Sequence, residues 1–96
     1  MVYGAYGLVE VLGDINSVVV LDQMLKTAKV NFETTDTKCG GRVLVFVSGE
    51  VSAVTSAVER VTNNPPCKIF KSAVVSNPSE EMINIVETFK ARKAKK

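Results

Sequence analysis

Ninety-six residues, 46% hydrophobic and 23% charged, have the size and composition of one globular domain and argue against a disordered chain. No apolar run approaches the roughly 18 residues that cross a bilayer. Met1 to Ala5 lack the basic segment and apolar core of a signal peptide, so the cytoplasm is the expected address. The net charge of +2 hides an uneven distribution: the last seven residues, Lys90 to Lys96, hold five cations and no acid, which leaves −3 on everything before them.

Tyr3 to Val11 alternates as a strand, with Tyr6, Leu8 and Glu10 on one face and Ala5, Gly7, Val9 and Val11 on the other. Gly7 inside it implies that another backbone comes close. Gly13-Asp14 ends the strand, and Asp14 is the expected cap of a helix over 15–28. Ile15, Val18, Leu21, Leu25 and Ala28 recur at helical spacing, flanked by Met24. Asp22 and Lys26 are four apart and can pair on the surface. Val30 to Thr37 reads as a second strand. The continuous apolar run Val43 to Val47 reads as a third, covered on both faces and central in its sheet. A second helix is expected over 50–62, capped by Ser48 or Gly49, with Val51, Val54, Val58 and Val61 inward. Asn63-Asn64-Pro65-Pro66 stops it. Lys68 to Val75 reads as a fourth strand opened by Cys67. Asn77-Pro78-Ser79-Glu80 has the form of a capping box with Asn77 as the cap, and Met82, Ile85, Val86 and Phe89 give the following helix its apolar face.

Two β-α-β units joined by a hairpin, then a helix, predict an α+β chain of ferredoxin-like type, β-α-β-β-α-β with a C-terminal helix, around a four-stranded antiparallel sheet. Right-handed crossovers put the first two helices on one sheet face. The other face, for which Tyr6, Leu8, Val43 and Ile69 are candidates, must meet the last helix, another subunit or water, which predicts self-association.

The hairpin, Lys38-Cys39-Gly40-Gly41-Arg42, carries the most chemistry. Adjacent glycines permit a tight reversal. They do not account for a cysteine at its tip, which is either an idle small residue or a ligand. Cys39 and Cys67 are the two cysteines, neither in a C-x-x-C pair, and a disulfide is not expected in a reducing compartment. The absence of His removes the commonest general base and metal ligand, no phosphate-binding glycine motif is present, and no enzyme is expected. The basic tail reads either as a solvated helix end or as a contact for an anionic partner. No basic groove or stacking aromatics support nucleic-acid recognition.

Tyr6-Gly7-Leu8-Val9-Glu10, then Leu21 to Lys26 with Ala28 and Val30, then Gly40-Gly41, then Val47-Ser48-Gly49-Glu50-Val51, stand in the order and at the separations of a known family. Over Gly4 to Val86 the chain resembles the bacterial microcompartment (BMC) shell domain. The resemblance implies a single shell domain over 1–89 followed by the basic tail 90–96. It implies a flat homohexamer that tiles with other shell proteins around encapsulated enzymes. In such a ring Lys38, Gly40 and Gly41 would line a central pore, and Lys26 matches the lysine used at hexamer edges.

The chain departs from the family pattern in three places. Asn77-Pro78-Ser79 stands for the usual Arg-Pro-His, so the edge contact made by that arginine is missing. Asn63 to Cys67 replaces an alanine-rich helix end. Cys39 stands where the pore turn usually has its first glycine. In this the chain looks like the divergent glycyl-radical propanediol subgroup, whose pore cysteine carries an iron–sulfur cluster. A hexamer would bring six Cys39 thiols to one axis, enough for a shared 4Fe–4S cluster that takes four. Lys38 and Arg42 nearby would favour thiolate. The expected function is therefore a shell hexamer whose pore binds a cluster through Cys39, for electron transfer or cluster delivery. The alternatives are a metal-free pore for small polar metabolites and, more remotely, a ferredoxin-like nucleic-acid-binding or signalling protein using the tail.

Overall fold

A computed structural model of the chain describes residues 4 to 94; the expected strand start at Tyr3 and the last two tail residues lie outside them. The elements are β1 (Ala5–Leu12), α1 (Asp14–Thr27), β2 (Asn31–Thr37), β3 (Arg42–Gly49), α2 (Val51–Asn63), β4 (Lys71–Ser76) and α3 (Glu80–Ala94). The four strands form one antiparallel sheet in the order β2-β3-β1-β4. This is the expected α+β arrangement, with the apolar β3 in the interior of the sheet beside β1.

One face of the sheet carries the main core. Val9 and Val11 of β1 and Val43, Val45 and Val47 of β3 meet Val20 and Met24 of α1 and Val54, Ala57, Val58 and Val61 of α2. On the other face Tyr6 and Phe46 pack under Val86 of α3, with Leu8, Leu44, Met82, Ile83 and Phe89 around them. The Phe46 and Phe89 rings meet edge to face at 5.7 Å. Tyr6 and Leu8 thus lie where the alternation put them. Val43 and Ile69 do not: both belong to the helix-covered core, and Leu44 and Phe46 take the second face instead.

Gly7 is tight for a different reason from the one expected. A Cβ there would come within 2.9 Å of Val54 and Val58 methyls and 3.1 Å of Val47, so side chains of α2 and β3, not a backbone, require the glycine.

The helix faces differ from the sequence expectation in a consistent way. In α1 Leu21 and Ala28 pack against the core as expected, but the fully inward residues are Ser17, Val20 and Met24, while Ile15 and Val18 are 80% and 64% exposed and Leu25 is exposed too. Val18 to Leu21 is apolar around more than half the helix, so spacing alone allows two stripes. The stripe that wins seats Val20 and Met24 on the sheet and tolerates Ser17, whose hydroxyl donates to the Asp14 carbonyl at 2.6 Å. In α2, Val51 is exposed and Ala57 is buried. In α3, Ile83 packs inward and Ile85 is half-exposed.

Three caps also move. Gly13, at φ 86°, occupies the cap position of α1; Asp14 is its first residue and makes no capping hydrogen bond. Glu50, not Ser48 or Gly49, precedes α2, again without a side-chain cap. At α3, Asn77 sits in the left-handed region (φ 50°) and Ser79 caps, its Oγ accepting from the Met82 amide at 3.2 Å. Pro78 precedes the helix entirely. β4 begins at Lys71 rather than Lys68, and Cys67 lies in the connection before it, half-buried against the main core.

Candidate functional site

Lys38 to Arg42 closes the β2–β3 hairpin. Cys39, Gly40 and Gly41 form a single 3-10 turn, with Gly40 at φ 82° and Gly41 at φ 81°. Two successive positive φ values explain the glycine pair, since a side chain would be strained at either position. The Lys38 amide donates to the Arg42 carbonyl at 2.6 Å, and the Gly41 amide to the Lys38 carbonyl at 3.3 Å. The Gly13 amide donates to the Gly41 carbonyl at 2.8 Å, which ties the hairpin to the β1–α1 turn. The tip is therefore fixed at its base on both sides.

Cys39 is exposed at that tip. The two cations expected to favour its thiolate are engaged elsewhere. Lys38 Nζ lies 3.5 Å from Asp36 Oδ2, and the Arg42 guanidinium lies over the Phe70 ring at 4.2 Å. Cys67 differs: burial pushes its thiol pKa up, as befits a packed thiol. One chain brings a single thiol to the turn. Among the described residues no three His, Cys, Asp or Glu side chains gather as a metal set. A cluster that takes four thiolates does not fit one chain and fits only where several copies bring this turn together.

Lys26 stands on the exposed side of α1 with its Nζ 2.9 Å from Asp22 Oδ2, the i,i+4 pair expected from the sequence. Lys38, Cys39, Gly40 and Gly41 share one turn, and Lys26 lies apart from it near the other end of α1. At the start of the basic tail, Lys90 is part of α3 and donates to Glu33 Oε1 at 3.0 Å, while Ser48 donates to the other oxygen of Glu33. Sequence reasoning missed this bridge from α3 to β2 and β3. Its members are distant in sequence, and only the pairing of Asn31 with Ser48 in the β2–β3 ladder hints at it.

The family model of the BMC domain matches residues 5–78. The chain belongs to the BMC domain family. A crystal structure of a microcompartments protein from Desulfitobacterium hafniense DCB is similar at 25% identity and a TM-score of 0.75, covering 88% of this chain and 47% of that one. This chain thus spans about half the length of that relative. No curated protein sequence matches. The BMC domain is the unit from which microcompartment shells are built, so the resemblance drawn from four short stretches and the fold agree. No helix among the described residues is long and apolar enough to cross a membrane.

Proposed function

We propose that the chain is a shell protein of a bacterial microcompartment that assembles into cyclic homohexamers, and that the 39–41 turn lines the central opening and holds an iron–sulfur cluster through Cys39. The observation that carries this reading is an exposed thiol at the tip of a glycine turn in a BMC domain. A second supports assembly. Leu12, Ile15, Val18, Val19 and Leu25, all on or next to α1, are exposed at 39% to 80%, an apolar surface that a neighbouring subunit would cover. Lys26, beside it, would serve the contact between hexamers, and other shell proteins and encapsulated enzymes would be the partners.

Bound to thiolates from several turns, the cluster would supply one-electron chemistry. The chain's own part is to present the thiol. Gly40 and Gly41 let each turn find its own position, since a four-thiolate cluster cannot use six equivalent ligands. The engagement of Lys38 with Asp36 and of Arg42 with Phe70 favours the second reading, a metal-free opening for small polar solutes lined by bare Gly40 and Gly41 backbone.

Purification without oxygen, with an absorption spectrum, iron and sulfide assays and native mass, separates the two. A brown hexamer with about one cluster per ring, bleached in Cys39→Ser, is the expected result. A colourless, iron-free hexamer leaves the polar-solute pore. A monomer overturns both.

A further inference from the structure

The basic run from Lys90 onward has no part in the pore reading, and its first cation is already occupied within the chain. The β2–β3 ladder shifts register between Phe32 and Thr34, which leaves Glu33 as the extra residue of a bulge. A bulge re-aims a side chain. Here the half-buried Glu33 carboxylate turns under α3, where Ser48 donates to one oxygen and Lys90 Nζ to the other at 3.0 Å. Glu87 Oε2 adds a longer contact to the same ammonium, at 3.5 Å. Lys90 is thus held by two carboxylates of its own chain. Arg92, the next cation, lies over the Phe89 ring at 5.0 Å and makes no ion pair among the described residues.

A carboxylate that holds the head of a cationic tail from within is the group an outside partner must displace. What fits Lys90 here is a carboxylate, so the matching partner carries carboxylates, and five cations from Lys90 to Lys96 match several of them in a row. We infer that the tail binds an acidic peptide segment, and that Glu33 is an internal competitor that masks Lys90 until such a segment arrives. The contact lies clear of the surfaces assigned to assembly. Glu33 is near the start of β2, at the end of that strand away from the 38–42 hairpin, and under α3 on the sheet face opposite α1. The inference does not depend on Cys39 or on a metal in the pore.

The test is calorimetric titration of the full chain at low salt with an octaglutamate peptide, beside a thymidine oligonucleotide of equal charge. Circular dichroism is recorded for every variant. Octaglutamate should bind, more weakly as salt rises, and Lys90→Met should weaken it further. Glu33→Gln should tighten binding about two- to five-fold, the gain expected when a partly solvated competing pair is opened. Glu81→Gln removes the same charge from an exposed position at the start of α3 and corrects for net charge. In a Lys90→Met background, Glu33→Gln should do no more than Glu81→Gln, because the competitor then has nothing to mask. No binding of octaglutamate would overturn the proposal. So would a Glu33→Gln variant that binds no more tightly than Glu81→Gln, since the tail would then act without the latch. An oligonucleotide bound more tightly than octaglutamate would overturn the acidic peptide as the partner.

Discussion

The two faces of the sheet are finished to different degrees. Under α1 and α2 the core is almost wholly valine, with Met24, Ala5 and Ala57 among the valines, closed to solvent and free of charge. Under α3 the core holds three buried residues, Tyr6, Phe46 and Val86, and beyond them the face opens into a cleft beside Glu10. The first face settles the fold within one chain. The second is incomplete in one chain, as is the outward side of α1 with Ile15 and Val18. On the proposed reading folding and function are divided between surfaces: the valine core holds the frame, and the hairpin tip and the α1 stripe would meet neighbouring copies.

The largest effect should come from breaking the finished face. Met24 is fully buried at the centre of the valine cluster. Met24→Ala should lose about 2–5 kcal/mol, read as a shift in the urea midpoint. Ile15→Ala, two and a half turns earlier and so on the exposed side of the same helix, should stay within about 0.5 kcal/mol for the isolated chain. Ile15→Glu should instead lower the native mass of the assembly. If the two alanine variants cost the same, the assignment of the α1 faces is wrong.

That contrast marks the limit of the sequence. Strand alternation placed Tyr6, Leu8, Val9 and Val11 correctly because period two admits only two faces. The continuous run Val43 to Val47 pointed to an interior strand. The α1 face was legible only in part: Leu21 and Ala28 pack on the core as expected, but Val18 to Leu21 supplies apolar residues in several directions, and the choice among them is made by what the sheet can accept. Caps failed for a related reason: Asp14 and Asn77 have the right chemistry, but the turns before α1 and α3 place Gly13 and Ser79 at the cap position. The glycine reversal with Cys39 at its tip was readable, though its 3-10 geometry and the exposure of the thiol come from the structure. The surroundings of the thiol were not, since the partners of Lys38 and Arg42 are decided by Asp36 on the strand and by Phe70, brought beside the hairpin only by folding. Glu10 was placed on the correct face, but nothing in its neighbours revealed that it would be buried.

Two substitutions sharpen the comparison at smaller amplitude. Gly7→Ala puts a methyl against Val54, Val58 and Val47. Overpacking of this kind should cost about 1–3 kcal/mol, with a near-native spectrum if the valines can shift. A neutral result would show that the finished face has slack. On the other face, Ser79→Ala removes the hydroxyl that caps α3. It should cost about 1 kcal/mol, and hydrogen exchange should rise in the first turn of α3 before it rises anywhere in the valine core.

The smallest effect concerns the link between α3 and the sheet, and pH reads it. The hydrogen bond to Glu33 raises the Lys90 pKa above its ordinary 10.5, although partial burial works against it. Burial raises the Tyr6 phenol above 10.0, helped by the negative charges of Glu33 and Glu87. In both cases the folded state holds its proton more tightly than the unfolded chain. Their contribution is therefore whole below the unfolded pKa and lost as pH climbs through the folded one. Cys67, raised above 9.0 by burial, acts in the same direction at lower pH. Thermal midpoints should be level near pH 8 and fall from about pH 9 upward. Lys90→Met should lower the midpoint at pH 8 only slightly, by less than about 1 kcal/mol, because the pair is partly solvated. It should also move Tyr6 ionisation, followed by its ultraviolet difference spectrum, to still higher pH, since Lys90 is the cation that favours the phenolate there. A phenol that titrates at the same pH with and without Lys90 would show that α3 is not held against Tyr6 and Glu33 in solution, and that the second face is more open than its three buried residues indicate.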